Sequence, residues 1–196
     1  TPNRVDKIKE PIQSIFWIMK DDALPPLVKI TDPRLASILG CTLMTKRSTA
    51  ENTGAGANLD ALVIEPYANP FRVYPLVEDY EKFKALFDKG VDCYIINTGD
   101  YLGKKVTKEV SLGVIETVVD GKANFELFGG LPGMEYLPVE GYEVPDMNGE
   151  YAELIRDRMQ FRLDYLKAFN DANPEHQIPQ DALESIKTIE RFIDVL

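Results

Sequence analysis

The sequence predicts an α/β fold: a mixed sheet flanked by helices, followed by a helical C-terminal tail. Three observations predict it. Ser14-Ile15-Phe16-Trp17-Ile18-Met19 and Val91-Asp92-Cys93-Tyr94-Ile95-Ile96 are short, β-rich apolar runs of strand length. Around them, apolar residues return at three- and four-residue steps, the period of a helix with one buried face. From Gly149 onward the texture is helical throughout, broken only at Asn173-Pro174. Mixed strands and helices without an internal repeat mean one α/β unit, with its lobe over residues 1–148 and its tail over 149–196.

Thr1 to Pro11 mixes basic and acidic residues and reads as an extended segment. The run from Ser14 to Met19 is apolar on both faces, which predicts a central position in the sheet. Lys20 to Pro26 is a loop that Pro25 and Pro26 keep extended. A helix starts after Thr31 or Asp32, with Pro33 at its first position and a stripe of Leu35, Ile38, Leu39, Thr42 and Leu43. Ser48 to Asp60 is small, polar and glycine-containing, the texture of a surface loop. Ala61 to Glu65 is a short strand, and Tyr80, Phe83 and Phe87 mark a helix that ends at Gly90.

The second strand run breaks at Asn97-Thr98-Gly99. Gly103, Lys104 and Lys105 follow, and then Val110, Val114, Ile115, Val118 and Val119 form a helical stripe ending near Gly121. Phe125 to Tyr142 is interrupted by glycines and prolines and reads as a surface connector with a small hairpin. The first tail helix carries Tyr151, Ile155, Met159, Leu163, Leu166 and Phe169. The second carries Leu183, Ile186, Ile189, Ile193 and Leu196, with Asp181 and Glu184 spaced as a capping box.

The net charge of −10 and the pI near 4.7 argue against nonspecific nucleic-acid binding, which needs a basic surface. No apolar run reaches the roughly 18 residues of a membrane span, and nothing in the sequence reads as a signal peptide, so membranes are not expected partners. Cys41 and Cys93 lie in apolar surroundings and read as reduced core thiols of a cytoplasmic protein. The chain begins Thr-Pro-Asn without an initiator Met, as a piece of a longer protein would.

A strand that enters a glycine turn with lysines and then a helix is where α/β proteins often hold phosphorylated ligands. The standard phosphate loop, however, has four residues between its glycines and then Lys-Ser/Thr. Here three residues separate Gly99 from Gly103, and Lys105 stands where the hydroxyl belongs, so the segment is not such a loop. His176 is the sole histidine and sits in a polar link, which leaves no zinc set and no Ser-His-Asp or Cys-His arrangement. Asp21-Asp22 and Glu78-Asp79 are adjacent carboxylates expected to decorate the surface. Ser48, Thr49 and Glu51 read as loop residues, and Lys46-Arg47 as a cation pair after the first helix.

Three collinear blocks resemble the C-terminal part of ATP-type phosphoenolpyruvate carboxykinases. Ser14 to Thr31 is similar to that family's strand, acidic loop, Leu-Pro-Pro, basic residue and Leu-Thr. Gly40 to Glu51 is similar to its helix end and Gly-Thr-Glu. Ile95-Ile96-Asn97-Thr98-Gly99 with Gly103-Lys104-Lys105-Val106-Thr107 resembles its Val-Asn-Thr-Gly and Gly-Lys-Arg-Ile-Ser. Order and spacing hold to about residue 169.

The resemblance implies a carboxykinase C-terminal-lobe-like fold that binds ATP, with Lys105, Val106, Thr107 and Ser111 on its adenine and ribose side. Lys105 replaces an arginine, which is not an equivalent exchange where a planar guanidinium stacks. Lys108 replaces an apolar residue, Asp100-Tyr101-Leu102 lacks the family's tryptophan, and Thr49-Ala50-Glu51 lacks the glycine. The family's phosphate loop, its ligands for magnesium or manganese and its oxaloacetate-binding arginines lie mostly upstream of the matched part. The expected partners are therefore a nucleotide and the upstream region of the same protein, with no metal ligand and no catalytic residue in this chain. The intact protein would carry out ATP-dependent decarboxylation and phosphorylation of oxaloacetate, and this chain alone would be inactive. A reading of another class makes the chain a non-catalytic interaction or regulatory module that docks through its two tail helices.

Overall fold

The computed structural model describes residues 10–46 and 61–196. The first strand, β1, spans Ser14–Met19, and β2 spans Leu27–Ile30. Helix α1 follows over Pro33–Cys41. Its N-cap is Asp32, whose carboxylate accepts the N–H groups of Arg34 and Leu35, and Pro33 supplies the preset φ of the first turn. Leu35 through Cys41 are all buried, because the helix is covered on several sides. Strands β3 (Met44–Lys46) and β4 (Leu62–Ile64) pair with each other. A short 3-10 turn over Pro66–Ala68 leads to helix α2 (Leu76–Asp88).

Strand β5 (Asp92–Asn97) is the buried centre of the fold. A two-residue hairpin follows, β6 (Asp100–Tyr101) and β7 (Lys104–Lys105), turning through Leu102 and Gly103 at φ of 47° and 79°. Helix α3 covers Lys108–Val119. Strands β8 (Glu126–Leu127) and β9 (Met134–Tyr136) come next, and the chain ends with the long helix α4 (Gly149–Ala172) and helix α5 (Gln180–Ile193).

The main sheet has the order β1-β5-β2-β9-β8. Only β1 and β5 run parallel; every other neighbour is antiparallel. Alternation along the strands separates two faces. Trp17, Met19, Val28, Ile30, Cys93 and Ile95 join one core with α1, α2, α4 and α5. Leu27, Tyr94 and Ile96 face α3 with Val114, and Phe16 stacks on Tyr94 at 4.8 Å. The α/β class with a mixed sheet and flanking helices is therefore present.

Several sequence expectations are corrected. Among the described strands β1 lies at the sheet edge, and Ile18 is 63% exposed. One face, with Trp17 and Met19, packs into the helical core, while on the other Phe16 stacks on Tyr94 and Ile18 is left exposed, so apolarity on both faces does not mark a central strand here. The segment Phe125 to Tyr142 is more than a connector: β9 hydrogen-bonds to β2, and Phe128, Leu131, Met134, Leu137 and Tyr142 are buried. The capping box at Asp181 and Glu184 does not form. Pro179 is the N-cap of α5 without a side-chain bond, and Glu184 turns to Arg191 and Lys187. Leu196 and Val119 are exposed, so each falls outside its stripe. The buried stripes of the tail are occupied within the chain, where α5 packs on both α4 and α1.

Candidate functional site

The candidate site grows from the ends of the parallel pair. Parallel strands send their following loops out of the same end of the sheet, here Lys20 to Pro26 after β1 and Thr98 to Asp100 after β5. Because β2 lies on the far side of β5, the first of these loops must cross over the end of β5. Such a crossing segment is buried, so its backbone polar groups need partners. Asn97, the last residue of β5 and itself fully buried, supplies them. Its Nδ2 donates to the carbonyls of Asp21 (2.8 Å), Leu24 (2.6 Å) and Asp100 (2.9 Å). Its Oδ1 accepts the Gly99 N–H at 2.9 Å. Gly99 suits this close approach, since a Cβ would lie 3.2 Å from Lys20 Cβ and 3.3 Å from Asn97 Oδ1 and its neighbours would have to give way slightly.

From Gly99 the path continues to the four residues singled out in the sequence. The Val106 N–H donates to the Gly99 carbonyl at 2.9 Å, which closes the base of the hairpin. Val106 is 3% exposed, so its side chain belongs to the core and only its backbone borders the surface. Lys105 is exposed, and its carbonyl accepts the Tyr142 hydroxyl at 2.6 Å. Lys104 turns aside, its Nζ donating to the Gly141 carbonyl and lying 4.5 Å from the Tyr142 ring centroid. Thr107 is the N-cap of α3, its Oγ1 accepting the Val110 N–H at 3.3 Å. Ser111, one turn on, donates its hydroxyl to the Thr107 carbonyl at 3.1 Å.

The structure thus brings Lys105, Val106, Thr107 and Ser111 into one hairpin-to-helix junction. Lys105 and Thr107 are the two whose side chains face solvent, and the Ser111 hydroxyl is engaged within the helix. The exposed helix N-terminus carries positive partial charge, and Lys104, Lys105 and Lys108 add three cations in five residues of an acidic chain. At this junction Glu109 is held below the usual carboxylate range, by its own backbone N–H first and then by the Thr107 hydroxyl. Lys46, on β3, reaches Asp100 at 3.9 Å; the Arg47 to Glu51 positions lie outside the described residues.

Sequence reasoning missed the support beneath this junction. Asp21 is not surface decoration but 0% exposed. Its Oδ2 accepts Arg162 Nη2 at 3.1 Å, and its Oδ1 accepts Arg158 Nε at 3.2 Å and the Ala23 N–H at 3.1 Å. Asp22 takes Arg158 Nη2 at 2.6 Å. The Tyr151 hydroxyl donates to the Ala23 carbonyl at 2.9 Å, so three residues on one face of α4 hold the crossing loop. One signal was available: Arg162 interrupts the apolar stripe between Met159 and Leu166, and a cation in a stripe implies a buried anion. Of the other carboxylate pair, Glu78 meets Lys82 on the surface and Asp79 approaches Arg72 at 3.7 Å.

His176 is exposed in the turn between α4 and α5. Among the described residues no cluster of three or more His, Cys, Asp or Glu side chains could hold a metal ion. No described helix is long and apolar enough to cross a membrane. The chain matches no family model and no curated protein.

Proposed function

We propose that this chain is the nucleotide-binding lobe of a phosphoenolpyruvate carboxykinase-like protein, with ATP held against the junction from Gly99 to Ser111. Support comes from the collinear sequence blocks and, above all, from one observation. Lys105 and Thr107 stand exposed at the start of α3, on the side of the sheet where the loops of the parallel pair emerge. That is the place where an open α/β sheet receives nucleotides. The Lys105 ammonium is then a hydrogen-bond donor to the base and ribose, and the positive field of the lysines and the start of α3 draws the anionic nucleotide towards the junction.

In this reading the junction contributes binding and orientation rather than chemistry. Phosphoryl transfer depends on metal ions and cationic clamps around the transferring group, and in the intact protein those come from upstream residues. With them, the reaction is ATP-dependent decarboxylation and phosphorylation of oxaloacetate. Calorimetric titration of ATP and ADP tests the assignment, on this chain and on a form extended upstream of Thr1. Lys105→Ala is expected to weaken binding about tenfold, roughly 1.4 kcal/mol. Thr107→Ala weakens it further by loosening the helix start. Affinity that neither substitution changes rejects the site.

A further inference from the structure

We infer that Arg162 is a positioning residue for the Gly99–Thr107 junction, acting through Asp21 and Asn97 from the opposite side of the crossing loop. The relay is short and wholly internal. Arg162 Nη2 holds Asp21 Oδ2 at 3.1 Å, and both side chains are 1% exposed. The Asp21 carbonyl accepts Asn97 Nδ2 at 2.8 Å, and Asn97 Oδ1 accepts the Gly99 N–H at 2.9 Å. The Gly99 carbonyl then accepts the N–H of Val106, the residue before the α3 cap. A parallel strut runs from Arg158 through Asp22, whose carbonyl accepts the Leu102 N–H at the hairpin tip at 3.0 Å.

A cover helix has no need of this arrangement. Burying an arginine and a carboxylate is costly, and well-packed apolar residues of similar volume often serve stability as well or better. Arg162 is also incompletely satisfied: Nη1 donates to the Arg158 carbonyl and Nη2 to Asp21 and Met19 Sδ, while Nε has no partner among the described residues. What the charges supply is direction. Two guanidinium groups fixed on α4, giving one N–H each from Arg162 and Arg158, set the Asp21 carboxylate, and with it the carbonyl that orients Asn97. The tail helix is then a working part of the site. This inference rests on the nucleotide reading only for its last step, since the loop geometry is measurable without ligand.

The test compares wild type, Arg162→Lys and the double variant Asp21→Asn/Arg162→Met, using amide hydrogen exchange and ATP titration on the same full chain. Arg162→Lys keeps the charge and loses the planar guanidinium that bonds Asp21 and the Arg158 carbonyl together. The double variant removes both buried charges. The expected result is exchange at least tenfold faster at Gly99, Leu102 and Val106 in both variants, with α5 and the β2–β5 pairing unchanged. ATP affinity falls in step with it. Unchanged exchange at Gly99 in either folded variant overturns the inference. So does unfolding of both, which would make the cluster a determinant of the whole fold. If wild type binds no ATP, the nucleotide reading fails, and the exchange result still decides whether Arg162 positions the junction.

Discussion

The ring of Tyr67 fills the space that a side chain on residue 40 would need: a Cβ on Gly40 would lie 2.5 Å from Tyr67 Cε1. The contact seats Tyr67 against Trp17 and Phe83, with its hydroxyl 3.2 Å from both Cys41 Sγ and Ser37 Oγ. Tyr67 and Ala68 take φ of 53° and 51° to reach it, a conformation that costs a side-chain-bearing residue roughly 1–2 kcal/mol. In an open helix Gly→Ala stabilises by about 1 kcal/mol. Here Gly40→Ala is expected to destabilise by about 1–3 kcal/mol, because the ring must leave or the helix must shift. Urea denaturation reads the sign directly.

The cap of α1 gives a pH-dependent prediction. Burial works to raise the Asp32 carboxyl, but the Arg34 side chain and the N–H groups of Leu35 and Arg34 outweigh it, and the group lies below its ordinary 3.8. A depressed carboxyl contributes stability above its unfolded-state pKa and loses it as pH falls through the folded value. Asp32→Ala should cost about 1 kcal/mol at neutral pH. Asp32→Asn should keep most of the cap there and flatten the acid limb below pH 3.8, measured as denaturation midpoint against pH.

The two thiols should be silent in the folded protein. Cys41 and Cys93 are free and buried. Burial pushes the Cys41 thiol from 9.0 up to about 12, and raises Cys93 as well. Since the thiolate is the reactive form, labelling at pH 8 should follow unfolding rather than reagent concentration. By linkage, a raised thiol contributes stability below pH 9.0 that drains away as pH climbs towards 12, and Cys41→Ser should blunt that alkaline loss.

The hairpin tip offers a stabilising change. Leu102 sits at φ 47° and is 44% exposed, so its side chain contributes little burial to offset the strained backbone. Leu102→Asn or Leu102→Gly should raise stability by about 1 kcal/mol, visible as a higher melting temperature, with Lys105 and Thr107 undisturbed.

What was legible in the sequence followed from period and punctuation. The strand runs at Ser14 and Val91, the Pro33 helix start and both tail helices were readable because each carries its signal within a few residues. Long-range partners left weaker traces. Asp21-Asp22 looked like surface because nothing nearby shows that Arg158 and Arg162 come back to them from α4. β9 was obscured by Gly133 and Pro138, although it completes hydrogen bonds for β2. The junction itself was located by its lysines, turn glycines and helix start, whereas the role of Asn97 depends on which loop crosses above it.

That crossing carries a consequence for how the chain is assembled. β1 and β2 are neighbours in sequence, yet they stand about 10 Å apart with β5 between them. Neither can complete its pairing until residues 92–97 have been made and threaded into the slot. During synthesis the first two strands must wait with apolar flanks uncovered, and sheet closure is a late, non-local event of the kind that folds slowly. The centre of this protein is the last strand to arrive among the three that define it.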